Sequence, residues 1–477
     1  MSTVRNNTTV TIPKTALMWF RRDLRLRDNT ALYQALRENA RVVGVFVLDD
    51  AILRARDIGA ARVAFLFRSL DVLAEEFRAH GGQLVLRRGG SPENELRALA
   101  AEAGASALYF NRDYTPYSTE RDEKVTAAMD AAGVSVRAFD DALLAAPQQI
   151  VDPRDGEPFK TFTSFKRVWE TRLRVGKPQD IATVAGGLRL DAPLPSATLP
   201  DMEDYGLHLT QDIPDAGEHA AQRSLEEFSR RSLSEYADNR DNTADEESTS
   251  ALSVHLKYGT LSVRDCWRSA DDIGGAGGRK WQDELGWRDF FNALLWHHPQ
   301  MIQKAIQPAL AAMRFDRNDE YLERWKSGTT GFPYVDAGMR QMHAKGWMHN
   351  RTRQIAASFL CKDLLIDWRT GAEYYMQGLV DGDWASNYGG WQWVAGTAPD
   401  PNGNFRVFNP VAQQRRYDPD LAYCRRWIPE LDTPKYPRPM VNHAQASEEF
   451  IRRFQKAYGP PPGRRPDRQG QGNRPRR

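Results

Sequence analysis

The stretch TALMWFRRDLRLRDNTAL (15–32) decides the fold of the N-terminal third. Its first six residues, TALMWF (15–20), are a short apolar run rich in β-branched or aromatic residues, as in a strand. A charged stretch follows, and then a helical pattern over about 28–38. The same unit recurs: VVGVFVL (42–48), QLVLR (83–87), SALYF (106–110) and VSVRAF (134–139) alternate with helical patterns near 60–79, 91–103 and 117–132. Strand–helix alternation with short connections reads as an open parallel α/β sheet with right-handed crossovers. Ligands of such sheets sit at the carboxyl ends of the strands. The turn after the first strand, FRRDLRLRDN (20–29), holds no GxGxxG, so the sheet is not a standard dinucleotide site.

Downstream the pattern changes. Prolines recur at 147, 153, 158, 178, 193, 195, 200 and 214, which reads as a connector with one short helix near 162–174. From about 221 to 440 the pattern is helical, punctuated by Gly and Pro at 274–278, 328–333 and 399–403. The expected organisation is an α/β domain at 15–145, a connector at 146–220, an all-α domain at 221–445 and a disordered basic tail at 459–477.

Charge is nearly balanced, with 65 Lys+Arg against 63 Asp+Glu, net +2. That excludes a uniformly basic nucleic-acid binder but not a local basic patch. Six Arg against one Asp put the tail at +5, which leaves the rest of the chain at −3. Cys266, Cys361 and Cys424 lie far apart with no CxxC, arguing against a zinc ribbon, an iron–sulfur cluster and a disulfide framework, and suiting a reducing cytoplasm. There is no continuous apolar run of membrane-spanning length and no signal-peptide pattern. Ten of the 13 tryptophans fall between Trp267 and Trp393.

Four clusters could carry chemistry. In WQDELGWRDFF (281–291), Trp281, Glu284 and Arg288 share a helical face, with Trp287 beside Glu284. This suits a planar heterocycle, or equally an amphipathic helix with an internal Glu–Arg pair. In KGWMHNRTRQIAASFLCKDLLIDW (345–368), Asn350, Arg353 and Gln354 precede an apolar helix that ends at Trp368. They suit a flavin, base or phosphate, or a plain helix start. LVDGDWASNYGGWQWVAGT (379–397) pairs Asp381 and Asp383 around a glycine, with Asn387, Trp391 and Trp393 following. No His or Glu stands near to complete a metal cage, so no metal is expected. STSALS (248–253), preceded by Tyr236 and Arg240, offers clustered hydroxyls for a phosphate, or an ordinary helix cap.

Together and in this order, the clusters are specific. The chain resembles the photolyase/cryptochrome family from MWFRRDLRLRDNTAL (18–32) to RRWIPEL (425–431), and most closely the class I cyclobutane pyrimidine dimer photolyases. WMHNR (347–351), KDLLIDWR (362–369), DGD (381–383) and GGWQW (389–393) carry the resemblance. It implies an antenna-binding α/β domain and a helical domain that binds FAD and DNA. The activity it implies is light-dependent repair of pyrimidine dimers by electron transfer from reduced FAD, by a monomer.

Carried over residue by residue, the resemblance implies that Tyr236 and Thr249, Ser250, Ala251, Leu252 and Ser253 grip the FAD phosphates. Trp281, Glu284, Arg288, Asn350 and the Asp381–Gly382–Asp383 segment would line FAD, and Arg353 would pair with Asp381. Asn387 would face the flavin N5, where a neutral amide can donate or accept. Trp287 and Trp393 would wall the lesion pocket, Glu284 and Asn350 would contact the dimer, and Arg240, Arg288 and Arg351 would hold phosphates. Trp391 and Trp368 would relay electrons. The implied catalytic set is Glu284, Asn350, Asn387, Trp391 and Trp368.

For the antenna, Arg22, Phe46, Leu48, Arg62, Asp113 and Lys257 fill the positions used by relatives that bind 8-hydroxy-5-deazaflavin. Thr115, Ile302 and Gln303 lack the groups that hold methenyltetrahydrofolate. Deazaflavin is therefore favoured, with folate, FMN or no antenna as alternatives. Phe315 stands where the outermost Trp of the family's electron chain is found, leaving Trp325 or Tyr321 as detours. Gln354 and Tyr388 resemble the DASH cryptochromes, which repair mainly single-stranded DNA. Asn350 and Gln354 replace the histidine pair of (6-4) photolyases. The rival readings are a cryptochrome-type blue-light receptor and a DASH-like enzyme.

Overall fold

The structure is a computed structural model that describes residues 14–173, 175–399 and 407–458. The basic tail expected at 459–477 lies outside the described residues, as does most of the 399–403 punctuation.

Five strands form one parallel sheet: β1 (Thr15–Phe20), β2 (Arg41–Leu48), β3 (Leu84–Arg88), β4 (Ala105–Asn111) and β5 (Ser135–Phe139), in the order β3-β2-β1-β4-β5. β1 runs in register with β2 from Thr15↔Arg41 to Phe20↔Phe46. Successive residues of β1 point to opposite faces. Ala16, Met18 and Phe20 join the helix Ala60–Ala79 in one core, through Phe65, Leu70 and Phe77. Leu17 and Trp19 join a second core with the helices Pro92–Ala103 and Pro116–Ala131, through Leu96, Leu99, Val125 and Met129. Both faces are therefore covered, which explains why TALMWF has no polar side. Asn29 caps the helix Thr30–Glu38 by accepting from the Leu32 N–H at 3.1 Å.

The charged turn between β1 and that helix is buried rather than solvated. Arg25 is 3% exposed and Asp28 0%. Arg25 Nη2 lies 2.6 Å from Asp141 Oδ2. Arg264, on the helix Val263–Ile273, meets Asp28 at 3.0 Å and Asp141 at 2.8 Å. Arg268 adds a third cation at 3.1 Å from Asp28. The backbone N–H groups of Leu26 and Arg27 donate to Glu218. A buried charge is tolerable only when paired and hydrogen-bonded, as these are.

The described chain divides into two compact units. The first comprises residues 1–299, 340–349 and 373–387, and so holds the sheet, the helix Phe162–Arg172 and the long helix Gly275–His297. Its helical core gathers Leu225, Phe228, Tyr236, Leu252, Cys266, Trp281 and Leu285. The second comprises 300–339, 350–372 and 388–477. Within it the helix Asn350–Ser358 continues into a π-helical turn, Phe359–Asp363, and Asp316 and Ile366 form a single parallel bridge. Leu310, Met313, Leu365, Phe450 and Phe454 build a core there, with Phe315 packed on it.

Candidate FAD and lesion site

In the first unit, the 249–253 segment has an alternating backbone. Ala251 sits at φ +49° and is followed by Leu252 at φ −77°, ψ 0°. Such alternation turns neighbouring N–H groups to one side, the concavity that binds phosphate. Thr249, Ser250 and Ser253 supply hydroxyls alongside, and Ser253 Oγ donates to Asp381 Oδ2 at 2.6 Å. Two clusters 128 residues apart are thus joined by one hydrogen bond. Tyr236 and Trp281, each against Phe228, share a core with Leu252 of this segment.

Asp383 starts the helix Trp384–Ala395, its Oδ1 accepting from the Ser386 N–H at 3.0 Å. Its Oδ2 meets Arg22 Nη2 at 2.5 Å. Burial disfavours the Asp383 charge, but Arg22, Lys257 and that N–H outweigh it and hold the carboxyl well below the usual range. Arg22 also donates to the Lys257 carbonyl at 2.9 Å and approaches Asp113 at 3.5 Å. The Lys257 ammonium lies 4.6 Å from the Tyr258 ring centroid, and burial, with Arg22 and Arg62 nearby, pushes it down to about 7. The structure therefore brings together four of the expected antenna residues, Arg22, Arg62, Asp113 and Lys257, with two residues expected at FAD, Asp383 and Arg288. Phe46 and Leu48 are buried at the end of β2.

On the helix Gly275–His297, Trp281 is buried in the helical core, 5.2 Å from Phe228. Glu284 pairs with Arg240, and Lys280 lies 3.4 Å away. Glu284 thus takes Arg240 rather than the Arg288 that an internal pair would give. Arg288 donates instead to the carbonyls of Ala142, at 2.6 Å, and Leu256, at 3.1 Å. Trp287 is half-buried, with Phe162 stacked on it at 4.0 Å and 16°.

In the second unit, Asn350 is exposed at the start of the helix Asn350–Ser358, while Arg351 and Arg353 are half-buried. Arg351 donates to Gln354 at 3.2 Å and lies 4.5 Å over Tyr417. Trp368 and Trp391 are both 2% exposed. Trp391 lies 6.3 Å from Trp325, whose indole N–H donates to Ala356. Trp393 differs from these: it is 43% exposed, near Phe408.

The profile of the FAD binding domain of DNA photolyase matches residues 281–435, and that of DNA photolyase matches 16–184. The deoxyribodipyrimidine photo-lyase of Synechococcus is 37% identical, over 91% of this chain and 95% of its own. The chain belongs to the DNA photolyase family. A solved class III photolyase from Agrobacterium tumefaciens aligns with this photolyase-family chain at TM-score 0.85 and 32% identity, covering 95% of this chain and 99% of that one. An archaeal photolyase from Sulfolobus tokodaii, solved with two FAD molecules, aligns at 0.79 and 30%, covering 93% and 100%.

Two cavities bear on a second chromophore in this photolyase-family chain. Arg22, Asp113, Lys257 and Arg288 line one of about 20 Å³, room for a single water. Of the six expected antenna residues, Arg22, Asp113 and Lys257 line this small cavity. A larger cleft, of about 340 Å³, opens at Asp49, Gly89, Ser91, Tyr117, Arg121 and Lys124. None of the six lines it. Among the described residues no helix is long and apolar enough to cross a membrane, and no three His, Cys, Asp or Glu side chains group as metal ligands.

Sequence reasoning missed two residues here. Phe162 lies in the proline-marked connector, where periodicity is weak. Asp289 is 1% exposed and accepts from Leu144 N, Ala145 N and Trp169 Nε1, each at 3.0 Å. Only its partners distinguish it from any other helical aspartate.

Proposed function

We propose that this protein repairs cyclobutane pyrimidine dimers in DNA under light, as an FAD-dependent deoxyribodipyrimidine photo-lyase of class I type. The observation that carries this reading is Trp393. Of the tryptophans, Trp19, Trp169, Trp325 and Trp368 are fully buried, yet Trp393 is 43% exposed. An indole kept at the surface is a stacking platform for a base turned out of its helix.

In this reading Tyr236, Thr249 to Ser253, Trp281, Glu284, Arg288, Asn350, Arg353, Asp381 to Asp383 and Asn387 hold FAD. The 15–145 segment would be the antenna domain and 221–445 the catalytic one. When bound in reduced form, FAD supplies the photoexcited electron that opens the cyclobutane ring and recovers it afterwards. The protein's own part is placement. Trp287 and Trp393 stack on the dimer, Glu284 and Asn350 hydrogen-bond its polar edges, and Arg240 and Arg351 position the backbone. Arg240 and Glu284 already satisfy each other, so a lesion entering there exchanges one charged hydrogen bond for another. With −3 on residues 1–458, binding relies on local contacts, and its salt dependence is modest.

Illuminating the purified, reduced protein with dimer-bearing duplex and single-stranded oligonucleotides tests the reading. Repair of the duplex is expected. Repair of neither removes the lyase and leaves a receptor or a flavoprotein without DNA activity, while a strong preference for single strands moves the protein to the DASH type. An absorption spectrum separates the antennas, because deazaflavin absorbs near the blue, folate in the near ultraviolet, and an empty site adds no band.

A further inference from the structure

The helix Phe162–Arg172 lies in the segment read as a passive connector, yet it is bolted to the lesion-facing helix Gly275–His297. Phe165 and Trp169, each 1% exposed, pack inward, Phe165 edge-on to Phe290 at 5.3 Å. Trp169 Nε1 donates to Asp289 at 3.0 Å, and Lys166 pairs with Asp283 at 2.6 Å. The close approach depends on Gly286. A Cβ there would lie 3.1 Å from the Trp169 ring and 3.4 Å from Phe162.

Phe162 itself does something different from these core contacts. It is half-buried at the rim and lies nearly parallel to Trp287, with centroids 4.0 Å apart and planes at 16°. Phe290 and Phe291 hold the same indole at 5.7 and 5.6 Å. One face of Trp287 is therefore covered and its plane is fixed. A platform that is already immobile spares the rotamer ordering that binding would otherwise cost.

We propose that Phe162 is a positioning residue for lesion recognition: it backs Trp287, so that Phe162, Trp287 and a pyrimidine of the dimer form one continuous stack. This rests on the reading of Trp287 as a wall of the lesion pocket. The substrate class is unchanged. What is new is that a connector residue sets discrimination between damaged and intact DNA.

The test uses the full-length, FAD-loaded protein in the dark. Binding of a duplex with a single cyclobutane thymine dimer, and of the same duplex undamaged, is measured by fluorescence anisotropy for wild type, Phe162→Ala, Phe162→Leu, Phe162→Tyr and Trp287→Ala. Loss of one aromatic stack predicts dimer binding roughly two- to tenfold weaker in Phe162→Ala. Affinity for undamaged DNA and FAD content stay level, and Phe162→Tyr restores dimer binding. Phe162→Leu keeps the volume without the ring, so it serves where the alanine variant does not fold, and the same loss is expected. Wild-type dimer affinity in both Phe162→Ala and Phe162→Leu, with a loss in Trp287→Ala, overturns the proposal alone. No loss in Trp287→Ala overturns the reading beneath it. Equal weakening toward damaged and undamaged DNA marks a merely structural residue and also overturns the proposal.

Discussion

Arg22 Nη2 and Asp383 Oδ2 lie 2.5 Å apart although 361 residues separate them in sequence. The pair ties the turn after β1 to the start of the helix Trp384–Ala395. It also makes one carboxylate common to the residues expected around FAD and those expected around an antenna.

Breaking this pair from its two ends has unequal consequences. Arg22→Met removes the salt-bridging guanidinium from both Asp383 and Asp113 and should cost on the order of 3 kcal/mol. Asp383→Asn leaves Arg22 with Asp113 and the Lys257 carbonyl and should cost less. Urea unfolding of the two variants measures the difference, and equal losses would show that Asp113 gives no compensation. FAD retained through purification, read by absorbance, should fall in both.

Gly259 should tolerate no side chain. It sits at φ +63°, and an added Cβ would fall on the Arg22 carbonyl. Left-handed backbone alone costs an alanine about 1 kcal/mol. With the clash, Gly259→Ala should lose more than ~2 kcal/mol in a thermal or chemical melt.

Two buried groups give opposite pH slopes in one window. Burial pushes Asp289 up from 3.8 to about 6, so the folded state holds the extra proton and stability falls as pH rises between those values. Burial pushes His255 down from 6.5 to about 4, so the unfolded state holds the extra proton and stability rises as pH rises from 4 to 6.5. Asp289→Asn should therefore make stability climb more steeply than wild type from pH 4 to 6. His255→Gln should flatten or reverse the climb. Unfolding midpoints at half-unit pH steps decide this.

The tryptophan path should run through Trp325. Phe315 is much harder to oxidise than an indole, whereas Trp325 lies 6.3 Å from Trp391. Trp325→Phe should lower the yield of long-lived tryptophan radical in transient absorption after a blue flash, and Phe315→Trp should raise it. An unchanged yield in Trp325→Phe would send the electron by another route.

Much of this protein was legible before folding. The runs 15–20, 42–48, 83–87, 106–110 and 134–139 coincide with the five strands to within a residue or so, because strands buried on both faces leave continuous apolar runs. The short helix near 162–174 is the helix Phe162–Arg172. The helix His443–Tyr458, which runs across the expected 445 boundary, was not foreseen. It buries Phe450 and Phe454, with Ala457 and Tyr458 packed on the same core, a thin apolar stripe on a mostly polar helix.

The sequence by itself determined the parallel sheet, the helical remainder and the family, since these depend on local periodicity and on short fixed motifs. Tertiary structure alone decided where the charges of FRRDLRLRDN go. As a string they are a charged stretch with no partners named. In the fold Arg22 reaches Asp383, and Arg25 and Asp28 meet Asp141 and Arg264. It decided likewise that Glu284 takes Arg240, that Asp289 grips the 144–145 backbone, and that Phe162 lies against Trp287. The physical reason is the same for each. A side chain's charge, size and rotamer freedom are written in its identity, but its partner lies tens to hundreds of residues away, and only the packed chain selects one among many chemically equivalent candidates.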